Sequence, residues 1–184
     1  VTKGARKTLP FAARVLLPWS EVPSVRIWDA HCHPDEPGAP GRSLAEKVEL
    51  IIQAGDRLGI ERFGCIFRPN GNDREILDVL NRYRRRIYGC LWMTLWDRTT
   101  QSSLALLDRW IRDGPMVGMK LAGADGVCSL PVHDPVFAHA AKLNAGIFIH
   151  AWLQVGGDPP LAGGKPSPDG STPQDVAVLA KRYP

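Results

Sequence analysis

The chain has 184 residues, of which 44% are hydrophobic and 23% charged, and its formal net charge is +4 at pH 7. This size and composition are typical of one globular domain. No nucleic-acid motif accompanies the densest basic run, residues 82–86, and no apolar run approaches the ~20 residues that span a bilayer, so we expect neither nucleic acid nor a membrane as a partner.

The predicted elements begin near residue 25 and alternate between short apolar strands and amphipathic helices. Strands are predicted at residues 25–30, 62–67, 87–95, 117–121 and 146–151. Helices are predicted at residues 44–58, 72–85, 102–112, 134–143 and 173 to about 182. A loop rich in Gly and Pro, residues 156–170, separates the last strand from the last helix.

Several helix ends carry recognisable signals. Ser43 with Glu46 three residues later predicts a capping box, and Gly59 predicts the end of that helix. Asp134 is the predicted N-cap of the fourth helix, and Thr172 the predicted cap of the last.

Five consecutive βα units predict a parallel sheet with helices packed against it. One architecture is a (β/α)₈ barrel of the TIM type, of which this chain would hold the first five units in residues 23–184. The other is an open doubly wound sheet. No Gly-x-Gly-x-x-Gly follows the first strand, so a dinucleotide-binding version has no support.

The N-terminal segment and the cysteines bear on location. Residues 1–22 are predicted to be an N-terminal extension, because Pro10 and Arg14 interrupt its apolar stretch and make it a poor signal peptide. The four cysteines show no close pairing and no Cys-x-x-Cys motif, so we interpret them as reduced thiols and expect a cytoplasmic protein.

Two histidines, His31 and His33, stand at the end of the first predicted strand. Side chains two residues apart on a strand point to the same side, so both imidazoles can converge on one metal ion. The alternative is that loop or backbone partners satisfy each ring.

Other polar residues fall at the same end of separate predicted strands. Arg68 ends the second, Lys120 lies in the fourth and His150 ends the fifth. In a parallel barrel these ends meet at one mouth, where active sites are built. Their common placement favours the barrel and a metal site over isolated structural roles.

The run Trp28-Asp-Ala-His-Cys-His33, with residues 117–121, Asp134-Pro135 and residues 147–151, resembles the amidohydrolase-related metal-dependent hydrolases of the TIM-barrel superfamily. The resemblance covers roughly residues 25–184. It implies that His31, His33 and His150 bind one divalent metal ion, for which we expect zinc.

The same resemblance implies residues that this chain lacks. In the family, a histidine after strand six and an aspartate after strand eight complete the site, and the aspartate handles the proton of the metal-bound water. The chain ends at Pro184, before a sixth strand, so we expect that aspartate beyond residue 184 and interpret the chain as the N-terminal part of a longer protein.

Lys120 has two precedents in the resembled family. In binuclear members a lysine at this point is carboxylated and bridges two metals, and in mononuclear members it is unmodified. The flanking residues 118–121 favour the mononuclear form. Arg68 could hold a substrate carboxylate or form a surface salt bridge, and Trp152 could line a substrate pocket or fill space.

The expected function is therefore metal-dependent hydrolysis of an amide, ester or lactone bond in a small molecule, by a protein that we expect to form homo-oligomers. One alternative is non-oxidative decarboxylation of an aromatic or related carboxylic acid on the same scaffold. An alternative of another class is a non-catalytic metal-binding or assembly fragment.

Overall fold

The computed structural model describes residues 26–95, 97–121, 126–151, 154–155, 165–166 and 170–184. The predicted N-terminal extension and most of the Gly- and Pro-rich loop lie outside these residues. Within the described part, Gln154–Val155, just before that loop, forms a short antiparallel pair with Lys165–Pro166 inside it.

The described residues contain one sheet of five parallel strands, which curls into a half-barrel. Its members are β1 (Ile27–Cys32), β2 (Ile60–Phe67), β3 (Ile87–Met93), β4 (Met116–Leu121) and β5 (Gly146–Ile149). Each strand pairs with the next one in the chain, whereas a doubly wound sheet reverses its strand order at a switch point. The arrangement is consistent with part of a TIM barrel and excludes the doubly wound alternative.

The helices of the described part connect successive strands and follow the last one. They are α1 (Leu44–Leu58), α2 (Asp73–Arg82), α3 (Thr100–Leu107), α4 (Asp134–Lys142) and α5 (Pro173–Arg182). Their apolar faces and the strands share one buried cluster, in which Trp110 is the largest side chain, followed by Phe67 and Phe137. Because the helices cover one face of the sheet, polar side chains on the other face are available to form a site.

The helix caps follow the sequence in part. The Ser43 hydroxyl accepts a hydrogen bond from the Glu46 N–H at 3.2 Å, and Gly59 ends α1 in the left-handed region at φ 73°. The capping box predicted there is only half formed, because the Glu46 carboxylate accepts from the Arg42 N–H instead. At α5 the box is complete, with Thr172 and Asp175 bonded in both directions.

The middle helices differ from the prediction at their ends. The predicted helix 72–85 stops at Arg82, and the next residues turn sharply through a hydrogen bond from the Arg86 N–H to the Tyr83 carbonyl. The predicted helix 102–112 begins earlier, at Thr100, where the Thr99 hydroxyl caps it. Its last turn, Asp108–Arg112, is π-helical.

Asp134 is the first residue of α4, not its N-cap as predicted. A 3₁₀ turn, Pro131–His133, leads into the helix and places His133 at the capping position, where its side chain makes no capping hydrogen bond. The Asp134 carboxylate instead accepts a hydrogen bond from Arg182 of α5 at 2.5 Å.

Strand ends also shift, and one of the changes concerns the histidine pair. β1 was predicted to end at residue 30, where the apolar run stops, but it extends to Cys32, which pairs with Cys65 of β2. His31 therefore lies inside the strand. Conversely, β3 ends at Met93 and β5 at Ile149, so that His150 follows β5 directly.

The amino-terminal ends of the strands carry a cluster of opposite charges and aromatic rings. The Glu61 carboxylate accepts two hydrogen bonds from Arg26 at 2.6 Å and one from the Trp28 indole at 3.4 Å. The Arg62 guanidinium lies 4.8 Å from the Trp28 ring centroid and 5.4 Å from that of Tyr88. We call these five residues the amino-end cluster.

All four cysteines lie in the described part and are free thiols. Cys65 and Cys90 are buried in the centre of the sheet. A hydrogen bond with Cys32 together with burial raises the pKa of Cys65, and burial raises the pKa of Cys90 to about 11.

Among the described helices, none is long and apolar enough to cross a membrane.

Candidate metal centre

The polar residues singled out in the sequence gather at the carboxyl ends of the strands. His31 lies in β1 and His33 just beyond it, Arg68 follows β2, Lys120 lies in β4, and His150 follows β5. In parallel barrels this end is where catalytic groups converge. We refer to His31, His33, Lys120 and His150 as the basic group.

His31 and His33 converge through their Nε2 atoms, which are 3.0 Å apart. Asp29 shapes the backbone before them, because its carboxylate accepts hydrogen bonds from the His31 N–H and the Cys32 thiol, both at 3.0 Å. The register between β1 and β2 is irregular at this point. Two neutral imidazoles at this separation can share one proton, or can direct two lone pairs at a cation.

Lys120 lies within electrostatic reach of all three histidines. Its side chain is buried, and in the register it stands between Trp92 of β3 and Phe148 of β5. Burial is the main cause that lowers the pKa of His31, His33 and His150, and the charge of Lys120 lowers each pKa further. The basic group therefore favours neutral imidazoles, the form in which histidine binds metals.

His150 is fixed by its backbone and coupled to the pair by charge. Its N–H donates to the Leu121 carbonyl at 3.0 Å, which continues the β4–β5 ladder beyond the end of β5. His150 and His33 interact electrostatically, and so do His150 and His31.

The loop after His33 connects the histidine pair to Arg68. The Asp35 carboxylate accepts the Arg68 N–H at 2.6 Å, and the Glu36 carboxylate accepts from Arg68 Nη2 at 2.5 Å. The Arg68 guanidinium carbon lies 4.2 Å from the ring centroid of Trp92, whose ring also meets the His33 ring edge-on. Arg68 is thus held from two sides.

Two buried polar atoms of this loop region have no hydrogen-bond partner among the described residues. They are His33 Nδ1 and Asp35 Oδ1. His33 Nδ1 faces Glu36 Oε1 at 3.8 Å, which is an ion-pair distance for a charged ring. Burial raises the pKa of Asp35, although the Arg68 N–H and the Arg68 charge act against this.

The donor chemistry fits a transition metal at the histidine pair but does not by itself complete a site. Ligand nitrogens ~2.05 Å from a tetrahedral zinc lie roughly 3.3 Å apart, close to the 3.0 Å between the Nε2 atoms. Within the described residues, however, no group of three or more His, Cys, Asp or Glu side chains is placed to hold one ion. The pair fits as two ligands, and the coordination by His150 stays a prediction.

Trp152, predicted to line a substrate pocket, lies outside the described residues. Glu36, which contacts both Arg68 and the surroundings of His33, was not singled out in the sequence. Its signal was weak: an acidic residue three positions after His33 in a loop resembles any solvated carboxylate.

Comparison with known proteins gives structural similarity only. No family model matches the chain, and no curated protein matches it. Among solved structures, a Staphylococcus aureus protein assigned as an amidohydrolase matches with a TM-score of 0.51 and 17% identity over 70% of this chain. An Acinetobacter baumannii protein assigned as a 2-pyrone-4,6-dicarboxylic acid hydrolase, crystallised with citric acid, matches with a TM-score of 0.47 and 17% identity, also over 70%.

The chain spans about half the length of these solved structures, covering 48% of the first and 50% of the second. At 17% identity, the similarity to the Staphylococcus aureus protein supports an amidohydrolase-like fold. It assigns no residue role and no substrate to this chain.

Proposed function

We propose that the chain belongs to a metal-dependent hydrolase of the amidohydrolase type, which activates a water molecule for attack on an amide, ester or lactone bond of a small molecule. The observation that carries the proposal is the convergence of the His31 and His33 Nε2 atoms at 3.0 Å. The fold of the Staphylococcus aureus protein is consistent with this proposal.

His31 and His33 would hold one divalent ion, for which zinc is proposed, and His150 is the proposed third ligand. Such an ion supplies a bound water whose pKa is lowered to ~7, and hence a nucleophile near neutral pH. The neutral state of the three rings supports this role, because burial and the charge of Lys120 lower the pKa of each ring.

Lys120 is proposed to act unmodified, with its ammonium directed at an anionic group of the substrate. The Lys120 side chain is buried beside three imidazoles, which supports a role inside the site over that of a solvent-exposed charge. A carboxylated lysine would instead bridge a second metal, so the metal count distinguishes the two forms of the site.

Arg68 is proposed to bind a substrate carboxylate. Glu36 engages one of its terminal nitrogens, and a guanidinium has five N–H donors, so donors remain for a bidentate contact. The Trp92 ring lies 4.2 Å from the guanidinium carbon, and this contact restricts the positions that the guanidinium can adopt.

Elemental analysis of the purified protein tests the metal site. We expect about one equivalent of zinc in the wild type and close to none in the His31→Ala/His33→Ala double variant. His133→Ala is the matched control, since His133 lies in the 3₁₀ turn before α4 and should keep the metal.

The substrate class is tested with the same proteins on a panel of amides, esters, lactones and aromatic carboxylic acids. Metal-dependent hydrolysis that the double variant loses would support the proposal. Release of carbon dioxide instead would favour the decarboxylase alternative, and a metal content that the double variant retains would exclude the histidine pair as the site.

A further inference from the structure

A single carboxylate oxygen, Glu36 Oε1, faces two residues of the candidate site. It accepts a hydrogen bond from Arg68 Nη2 at 2.5 Å and lies 3.8 Å from His33 Nδ1. Both contacts cross from the loop after β1, one to the residue that follows β2 and one back to the histidine pair. Glu36 is therefore placed where its charge can act on both residues together.

The loop that carries Glu36 is anchored at several points. The Glu36 carbonyl accepts hydrogen bonds from Lys47 Nζ and from the Ala39 N–H, both at 3.0 Å. The neighbouring Asp35 carboxylate is bonded to the Arg68 N–H at 2.6 Å. These contacts hold the backbone around Glu36, and the hydrogen bond to Arg68 holds its side chain on the side of His33.

The position of Glu36 has a consequence for the proton on a neutral His33 ring. If Nδ1 carried no hydrogen, its lone pair would face the negative carboxylate, which is unfavourable. With the hydrogen on Nδ1 the positive end of the N–H dipole faces the Glu36 carboxylate 3.8 Å away, which is electrostatically favourable, and Nε2 then presents its lone pair toward His31 Nε2, 3.0 Å away. Since one ring nitrogen is a donor and the other an acceptor in neutral histidine, the partner of Nδ1 decides what Nε2 can bind.

We infer that Glu36 is a positioning residue: its carboxylate holds His33 in the Nδ1–H tautomer, so that Nε2 is free to bind a cation, and holds Arg68 over the Trp92 ring. The inference rests on the proposed function for its purpose. Its geometric basis, the shared Oε1 contact, does not depend on a bound metal.

The test is the tautomer of His33 in the metal-free full chain, read by ¹⁵N NMR at pH about 8, where an ordinary imidazole is neutral. We expect the Nδ1–H form to dominate in the wild type. In Glu36→Gln the ratio of Nδ1–H to Nε2–H should fall roughly threefold or more, because a neutral amide lacks the negative charge that favours a hydrogen on the facing Nδ1. Glu46→Gln, which removes an α1 carboxylate that contacts Arg42, is the matched control and should leave the ratio unchanged.

A second variant, Glu36→Asp, keeps the charge but withdraws it by one methylene, and should give an intermediate ratio. The order wild type, Asp, Gln in the Nδ1–H fraction supports the inference, and any other order overturns it. A wild type in which His33 is mainly Nε2–H also overturns it.

Zinc affinity provides a separate readout. Loss of a carboxylate that orients a ligand histidine typically weakens metal binding 10–100-fold, so we expect about this change in the zinc dissociation constant of Glu36→Gln. A wild type that binds no zinc would refute the proposed function while the tautomer measurement still decides the role of Glu36. Zinc binding that is intact in Glu36→Gln, with an unchanged tautomer, would refute the role of Glu36 alone.

Discussion

The two ends of the same strands carry basic and aromatic side chains in opposite electrostatic settings. In the amino-end cluster, Arg26 is paired with Glu61, and Arg62 lies beside two aromatic rings. In the basic group at the other end, three imidazoles and one ammonium lie close enough to lower the pKa of the rings. One end pairs its charged groups with one another, and the other brings several basic side chains together.

This difference separates groups that stabilise the fold from groups held for chemistry. An arginine between a carboxylate and aromatic rings gains energy from each neighbour. Basic groups that lower one another's pKa disfavour their charged forms, and perturbed groups of this kind cluster at functional sites. Substitutions at the amino end should therefore change the free energy of unfolding, and substitutions in the basic group should change binding.

Gly64 lies in β2, where the backbone of β1 passes close by, and its substitution should have the largest effect on stability. A Cβ at this position would lie 2.6 Å from the Ala30 carbonyl oxygen, directly before His31. Gly64→Ala must push β1 from β2, and we expect a loss of about 3 kcal/mol in urea unfolding. Gly38→Ala, where nothing lies within 4 Å of the added Cβ, is the control and should change stability by less than about 0.5 kcal/mol. Equal stability of the two variants would mean that β1 does not approach β2 as described.

Arg62→Met tests the amino end alone. The change keeps an apolar stem of similar length but removes the charge between the Trp28 and Tyr88 rings, so we expect a loss of about 1 kcal/mol in the free energy of unfolding. Arg42→Met is the matched control, because the Arg42 side chain is almost fully exposed and contacts only Glu46 in the described structure. Zinc affinity should be unchanged in both variants, and a loss of zinc binding in Arg62→Met would break the distinction between the two ends.

Glu61 should give the smallest effect, visible as a pH dependence. Hydrogen bonding by Arg26 lowers the pKa of Glu61 to about 2 from its usual 4.5. A carboxyl group with a lowered folded-state pKa stabilises the fold above its unfolded-state pKa, and this contribution disappears as the pH falls from about 4.5 to about 2. Thermal unfolding of Glu61→Gln should show a shallower loss of stability in that window than the wild type. Parallel profiles for the two proteins would show that the Arg26 contact is not maintained in solution.

The fold could be predicted where the signal is local. Five strands alternating with helices are visible in the apolar pattern, and the caps at Ser43 and Thr172 are marked by residue type. The same-side placement of His31 and His33 follows from strand alternation, although the apolar run ends too early to show that β1 reaches Cys32. The backbone pairing of Cys32 with Cys65 extends the strand, and a pairing partner 33 residues away leaves no local mark.

The features that could not be predicted from the sequence depend on contacts outside a single helix or strand. The π-helical turn at Asp108–Arg112 accommodates the burial of Trp110, and Gly114 allows the chain to pass the carbonyls of this turn, where a Cβ would come within 2.7 Å. The role of Glu36 likewise depends on Arg68, 32 residues further along the chain. Helical periodicity and strand alternation describe neighbours along one element, so neither could reveal these contacts.

The central cysteines make the sheet suitable for a kinetic measurement of its opening. Cys65 is fully buried in β2 and has a raised pKa, so a thiol reagent can modify it only when the strands separate. Cys32 is only half-buried at the end of β1 and offers a thiol that can react without such separation. The ratio of the two labelling rates would therefore report how often the middle of the half-barrel is exposed to solvent, with no engineered probe.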